Sequence, residues 1–424
     1  MRTQKQLIGL ACALTVLLHV STAAAQQVTV VRAARMLDVE SGRIVRNAVV
    51  VIEGGRIKSV GQADIPENAQ TIDLGDLTLL PGLIDMHVHL TGQLSPDSFA
   101  RIGRETAVDA ALQGVLYARR TLLAGFTTVR NTGSEGFADV SLMRAIDRGF
   151  VVGPRIWPAA HGLSITGGHG DASGFAPGLL EGGPEEGIAD GVDEVIRAVR
   201  YQIKHGAKLI KTTATAGVLS FEGPVGAQQY SYEELRAMVE EAARHGIKVA
   251  AHAHGTEGII AAVRAGVASI EHGSMLDDEA IALMKEKGTY LVPTTYLADN
   301  IPLDVLPPAI RAKAESILPV AKESVRRAIQ AGVKIAFGTD AAVFPHGDNA
   351  KEFAALVERG LTPLEAIRSA TLNAADLLGV DDRGLIAPGR WADIIAVPGN
   401  PLEDVRVLED VRFVMKGGKV FKRP

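Results

Sequence analysis

The sequence predicts an α/β fold: one barrel of eight β/α units, with a small β-sandwich domain built from both chain termini. Three observations carry this expectation. The chain has 424 residues, 47% of them apolar and 4% aromatic, which suits one large core of a size that α/β barrels routinely reach. From residue 83 onward, short β runs alternate with helical stretches. Before residue 80 and after residue 384 the pattern is β alone, broken by glycines and turn residues.

Residues 1–25 read as a removable signal peptide. Arg2 and Lys5 form its positive end, LIGLACALTVLLHV its apolar stretch, and Ala23-Ala24-Ala25 an A-x-A cleavage site. The apolar run stops short of the ~20 residues that a membrane span needs, so export to the periplasm or medium is expected, without a stable membrane anchor. Cys12, the single cysteine, lies inside this leader, so the mature chain can form neither disulfides nor thiolate metal sites.

Residues 26–80, with TVVRAARML, AVVVIEGGRIKSVG and QTIDLG, together with 384–424 are assigned to the sandwich. Residues 81–383 are assigned to the barrel. Its candidate strands are LIDMHVHL, FTTVRNTG, RIWPAAH, KLIKTTA, IKVAAHAHG, VASIEH, TYLVPTT and VKIAFGTD. Helical segments fall between them; several end in Gly as a C-cap, and one opens with a capping box at Ser231 and Glu234. A doubly wound sheet is the rival, but it calls for a Gly-rich phosphate loop after the first strand, which LIDMHVHLTGQ lacks. The Gly-rich stretch 162–191 is too long for an ordinary βα loop and suggests a substrate-covering element.

Net charge is −5, and −7 once Arg2 and Lys5 are removed, with 42 basic against 49 acidic side chains. No basic run appears, so a nucleic-acid partner is not expected. A small-molecule substrate fits better.

His87 and His89 stand two apart in LIDMHVHL, so both imidazoles share one strand face. Alone, such a pair is explained by two polar residues satisfied at a strand end. In a barrel, however, strand C-termini open on one mouth. Strand four brings Lys211 there, strand five His252 and His254, strand six Glu271 and His272, and strand eight Asp340. Lys211 shares a face with Leu209 and Thr213 and so points inward, where an unpaired ammonium is costly. Loss of its proton, or conversion by carbon dioxide into a carbamate that can bridge two cations, relieves that cost. His272 as a core imidazole and Asp340 as a helix N-cap are reasonable singly. Together, on separate strands with one exit, these residues point to a metal centre.

PGLIDMHVH, IKTTATAG, AAHAHG, IEHG, GTDA and the closing GLIAPGRWADIIAVPGNP make the chain resemble the amidohydrolase superfamily over nearly its whole mature length. The resemblance is strongest to the imidazolonepropionase-related branch, with its prolidase-type dipeptidases and ochratoxin-hydrolysing amidases. It implies a (β/α)8 TIM barrel with a flanking β-sandwich. It also implies two divalent cations, with zinc expected. His87 and His89 would hold the buried metal, carboxylated Lys211 would bridge, and His252 and His272 would hold the exposed metal. Asp340 would bind the first metal, act as base toward a metal-activated water, and pass the proton to the leaving nitrogen.

His169, in SITGGHGD, resembles the histidine that relatives aim at the carbonyl; His161 is a weaker choice for this pocket. His254 faces the cavity where some peptidase relatives carry a tyrosine. Tyr230 and Tyr296 are further substrate-lining candidates. His205, His245 and His346 read as structural. The function implied is hydrolysis of an amide C–N bond in dipeptides with C-terminal proline or in N-acyl or aryl amino acids, by a homo-oligomer. Hydrolysis of an imidazolone, another cyclic amide or a lactone is the alternative. A deaminase fits less well with a carbamate, and a non-catalytic scaffold predicts missing ligands where all six positions are filled.

Overall fold

The computed structural model describes residues 28–61 and 65–424; the expected leader lies outside the described residues. The N-terminal β runs form β1 (Thr29–Asp38), β2 (Arg43–Glu53), β3 (Arg56–Val60), β4 (Gln70–Asp73) and β5 (Leu77–Pro81). Then follow β6 (Leu83–Val88), β7 (Phe126–Asn131), β8 (Arg155–Pro158), β9 (Ile210–Thr213), β10 (Val249–Ala253), β11 (Ser269–His272) and β12 (Tyr290–Val292). The chain closes with β13 (Ile394–Pro398), β14 (Phe413–Lys416) and β15 (Lys419–Lys422).

Both chain ends share one eight-stranded sheet, in the order β15-β14-β13-β5-β1-β2-β3, with β4 beside β1. The junction is β5, which runs parallel to β1 and antiparallel to β13, Leu80 facing Ile395. Residues far apart in sequence, Val31, Val50, Ile57, Ile394, Phe413 and Met415, bury one apolar cluster there.

The other strands lie parallel in two groups, β6-β7-β8 and β12-β11-β10-β9. Backbone bonds join the groups on both flanks. Lys208 N–H donates to Pro158 O, and Leu163 N–H to Lys211 O, each at 2.8 Å. On the other side, Leu291 N–H donates to Lys334 O at 2.8 Å and Asp340 N–H to His87 O at 2.7 Å. The segment expected as an eighth strand therefore bridges β12 and β6 without forming a regular ladder. Its Phe337 N–H turns to Ser369 O, and Asp340 adopts a left-handed φ of 57°. Gly338 is needed at this crossing, since a Cβ there would lie 2.2 Å from Val292 Cγ1.

Helices cover the outside through the expected periodicity. In the helix Gly191–His205, Val195, Ala198, Val199 and Gln202 face inward, and Gly206 caps its end in the left-handed conformation. The capping box opens the helix Tyr232–Arg244: Ser231 Oγ accepts from Glu234 N–H, and Glu234 accepts from Ser231 N–H at 2.8 Å. Pro308–Ala331 is far longer than the sequence pattern ESVRRAIQAG suggests, starting with Pro at its first turn. Among the described residues, no helix is long and apolar enough to cross a membrane.

Glu241 ties two neighbouring helices together. Its buried carboxylate accepts from Arg200 at 2.7 Å and from Arg244 at 2.6 Å. Arg200 chiefly, then Arg244 and His245, hold it down from the usual 4.5 to about 2. A depressed carboxylate stabilises the fold fully above its unfolded value and loses that contribution as pH falls. Replacing Glu241→Gln is expected to cost about 1–2 kcal/mol at neutral pH. In thermal melts the gap between variant and wild type should shrink between pH 4.5 and about 2.

Candidate active site

The C-terminal ends of the parallel strands open into a cavity of about 320 Å³. His87 and His89 reach it from β6, Lys211 from β9, His252 and His254 from β10, His272 from β11 and Asp340 from the bridging segment. Three non-glycine residues at this rim have left-handed backbones: His272 (φ 72°), Thr294 (48°) and Asp340 (57°). Such residues cost of order 1–3 kcal/mol each and cluster where a site requires them.

The side chains crowd together. His87 Nε2 lies 3.6 Å and His89 Nε2 3.5 Å from Asp340 Oδ1. Ring centroids are 5.0 Å apart for His87 and His272, and 4.7 Å for His252 and His272. Ligand atoms of His87, His272 and Asp340 all fall within 4.8 Å of one another, close enough to belong to one metal centre.

The rings are held from behind. His87 Nδ1 donates to Glu271 Oε2 at 2.8 Å and His89 Nδ1 to Gly133 O at 3.3 Å. His272 Nδ1 bonds Thr294 Oγ1 at 2.8 Å, and His254 Nδ1 bonds Ser274 Oγ at 2.7 Å. With acceptors at Nδ1, the lone pairs of His87 and His89 sit on Nε2, facing Asp340. His252 Nε2 is buried with no partner among the described residues.

Burial, and next the Lys211 ammonium, push His87 far down and His89 down to about 4. Burial also drives His252 and His272 far down and His254 to about 3, so the cluster is neutral and able to coordinate. Desolvation lowers Lys211 as well, and it raises Asp340 to about 6 against the pull of Lys211. Neutral imidazoles, an orphaned Nε2, a buried amine and a carboxylate form a donor set that fits divalent cations.

Glu271 itself is anchored in the core. Arg130 donates to it at 2.7 Å and to Met86 O at 2.6 Å, and Ser269 donates to it at 2.5 Å. Arg130 comes from β7, a strand from which the sequence suggested no functional side chain; a lone arginine within the buried run FTTVRN is the signal that could have marked it. The cavity also has an apolar lining: Leu297, Ile301, Ile317, Leu318, Ala321 and Val325. Much of it comes from the long helix Pro308–Ala331.

His169 and His254 join the cavity, but the other substrate-lining candidates do not. Tyr230 is fully buried, its hydroxyl donating to Ala189 O at 3.1 Å, because its ring fills the core beside the capping helix. Tyr296 packs its ring against Phe344, centroids 5.1 Å apart, outside the cavity lining. His161 lines an adjoining groove, where its Nε2 accepts from Gly136 N–H at 2.9 Å and its Nδ1 faces Gln202.

Residues 78–421 match the Amidohydrolase family. The chain belongs to this amidohydrolase family. It is 40% identical to an ochratoxinase from Aspergillus niger over 415 residues, covering 90% of this chain and 84% of that protein. A solved Xaa-Pro dipeptidase with bound methionine in its active site superposes with a TM-score of 0.89 at 41% identity, covering 93% of this chain and 100% of the other. A prolidase complexed with N-methylphosphonate-L-proline gives a TM-score of 0.85 at 36% identity, covering 94% and 100%. The branch to which the motifs pointed is therefore the one in which these relatives lie.

In this amidohydrolase the Arg130–Glu271 pair is fully desolvated. Breaking one side of such a pair costs about 3–5 kcal/mol, because the other charge stays buried. Arg130→Met should lower the urea-unfolding free energy by that amount, whereas Arg236→Met, at an exposed pair on a helix surface, should change it by less than about 1 kcal/mol.

Proposed function

We propose that this amidohydrolase cleaves an amide C–N bond with two divalent cations, zinc being the expected ion. The observation that carries this reading is the meeting of His87, His89, Lys211, His252, His272 and Asp340 in the lining of one cavity. Under this proposal the links between the two parallel groups close a (β/α)8 barrel over residues 81–383. The sheet shared by the chain ends belongs to a β-sandwich domain of residues 26–80 and 384–424. Export after removal of residues 1–25, and assembly as a homo-oligomer, belong to the same reading.

His87, His89 and Asp340 would hold one cation, His252 and His272 the other, and Lys211, as its carbamate, would bridge them. Bound cations supply Lewis acidity toward the substrate carbonyl and lower the pKa of water to near 7. Asp340 stands at the rim, in reach of both the β6 imidazoles and the cavity. It takes the proton of the attacking water and delivers it to the departing nitrogen, acting first as base and then as acid. His169 donates to the carbonyl oxygen as negative charge builds there. The apolar wall excludes water and receives the bulk of the substrate, while His254 and Ser274 offer polar contacts at its edge.

The amide class follows from the relatives, an ochratoxinase and two Xaa-Pro or proline-directed peptidases. Dipeptides with C-terminal proline and N-acyl or aryl amino acids are therefore the substrates to test. Lys211 carries the decisive variant. Lys211→Ala should abolish hydrolysis of every substrate in such a panel, and short carboxylates such as propionate should restore part of it; full activity without additive defeats the carbamate. Elemental analysis of the purified chain should find about two zinc per chain. Prolonged dialysis against a chelator should remove both the metal and the activity.

A further inference from the structure

We infer that Glu222 is a positioning residue for His169, holding the imidazole by its outer nitrogen so that the inner one is presented to the scissile carbonyl. The inference rests on the role given to His169 above. His169 sits in Thr166-Gly167-Gly168-His169-Gly170, where the neighbouring glycines offer no side chain to fix its ring. The fixing comes from the loop after β9. His169 Nδ1 lies 2.5 Å from Ser220 Oγ and 3.2 Å from Glu222 Oε1. Ser220 Oγ donates to Glu222 Oε1 at 2.5 Å, and Gly217 N–H donates to the same oxygen at 2.9 Å.

Because the serine hydrogen is directed at Glu222, both neighbours of Nδ1 present lone pairs, and Nδ1 is the donor. When His169 also donates from Nε2, Glu222 is the counter-charge on the far side of the ring. Ser220 is not a nucleophile in this arrangement: hydroxyl and carboxylate meet the same ring nitrogen, whereas a hydrolytic triad places them on opposite nitrogens.

Three further contacts make the support rigid. Lys313, from the long helix that walls the cavity, donates to Ser220 O at 2.9 Å and also to Glu222 O. Gly217 leaves room for the imidazole, since a Cβ there would stand 2.1 Å from His169 Cε1. The other face of His169 stacks on His252 at 4.2 Å. The Glu222 side chain is only 6% exposed, so its contacts compete little with water.

The test compares Glu222→Gln, Glu222→Asp and Gly217→Ala with wild type for kcat, KM, metal content and thermal melting. Glu222→Gln should lower kcat roughly 10- to 100-fold, less than the loss of about 10²–10³ on removing a transition-state donor outright, because the imidazole is displaced and not deleted, with KM and bound metal unchanged. Glu222→Asp should recover part of the loss, and Gly217→Ala should reproduce it. Wild-type kcat in Glu222→Gln, or a loss of kcat that follows a loss of metal, overturns the inference. A substrate-free readout separates this failure from that of the amide reading. In imidazole 15N NMR, the hydrogen-bonded Nδ1–H signal of His169 should be present in wild type and shifted or lost in Glu222→Gln. Its absence from wild type overturns the positioning role even if amides are cleaved, and its presence upholds that role even if no amide is.

Discussion

A nitrogen ligand stripped of water has to be tied from behind, and the bond between His87 Nδ1 and Glu271 is where that demand reaches the core. Glu271 would be ruinous alone in this position. It is tolerated because Arg130 and Ser269 satisfy its other oxygen, while Arg130 reaches on to Met86 O. The set draws on β6, β7 and β11, so it stitches the two groups of parallel strands together beneath the cavity floor. One network thereby orients a ligand ring and joins halves of the fold, which makes the geometry of the site and the integrity of the core inseparable at this point.

The rim repeats the same logic with weaker partners. Gly133 O, Thr294 and Ser274 each hold one imidazole by its Nδ1, and the left-handed backbones at His272, Thr294 and Asp340 turn the chain sharply at the strand ends. The apolar lining residues offer no polar group to water. A polar set that binds and an apolar set that encloses line the same cavity, an arrangement in which electrostatic interactions are stronger than they are in solvent.

Strand alternation made the polar half legible. His87 with His89, and His252 with His254, reveal their shared face through period two alone, and the Ser231–Glu234 box announced its helix. The rest was hidden for physical reasons. Tyr230 and Tyr296 carry hydroxyl-bearing rings that suit a pocket or a core equally; Tyr230 is buried with its hydroxyl on Ala189 O, and half-buried Tyr296 packs on Phe344. His161 was drawn away by Gly136 and Gln202. The segment after Val333 has a strand's composition, but its hydrogen bonds are divided among β12, β6 and Ser369, so no regular ladder forms. Glu222 lies in an aperiodic loop, where sequence carries no directional signal, and the apolar wall depends on how far a helix extends toward Pro308.

The seat of β5 between β1 and β13 carries a consequence for biosynthesis. Once the ribosome has released β5, one of its edges has no neighbour until Ile394–Pro398 emerges. For most of translation the nascent chain thus displays an open, apolar strand margin of the kind that recruits stray chains. Completion of the amino-terminal sheet must wait for the carboxyl-terminal strands.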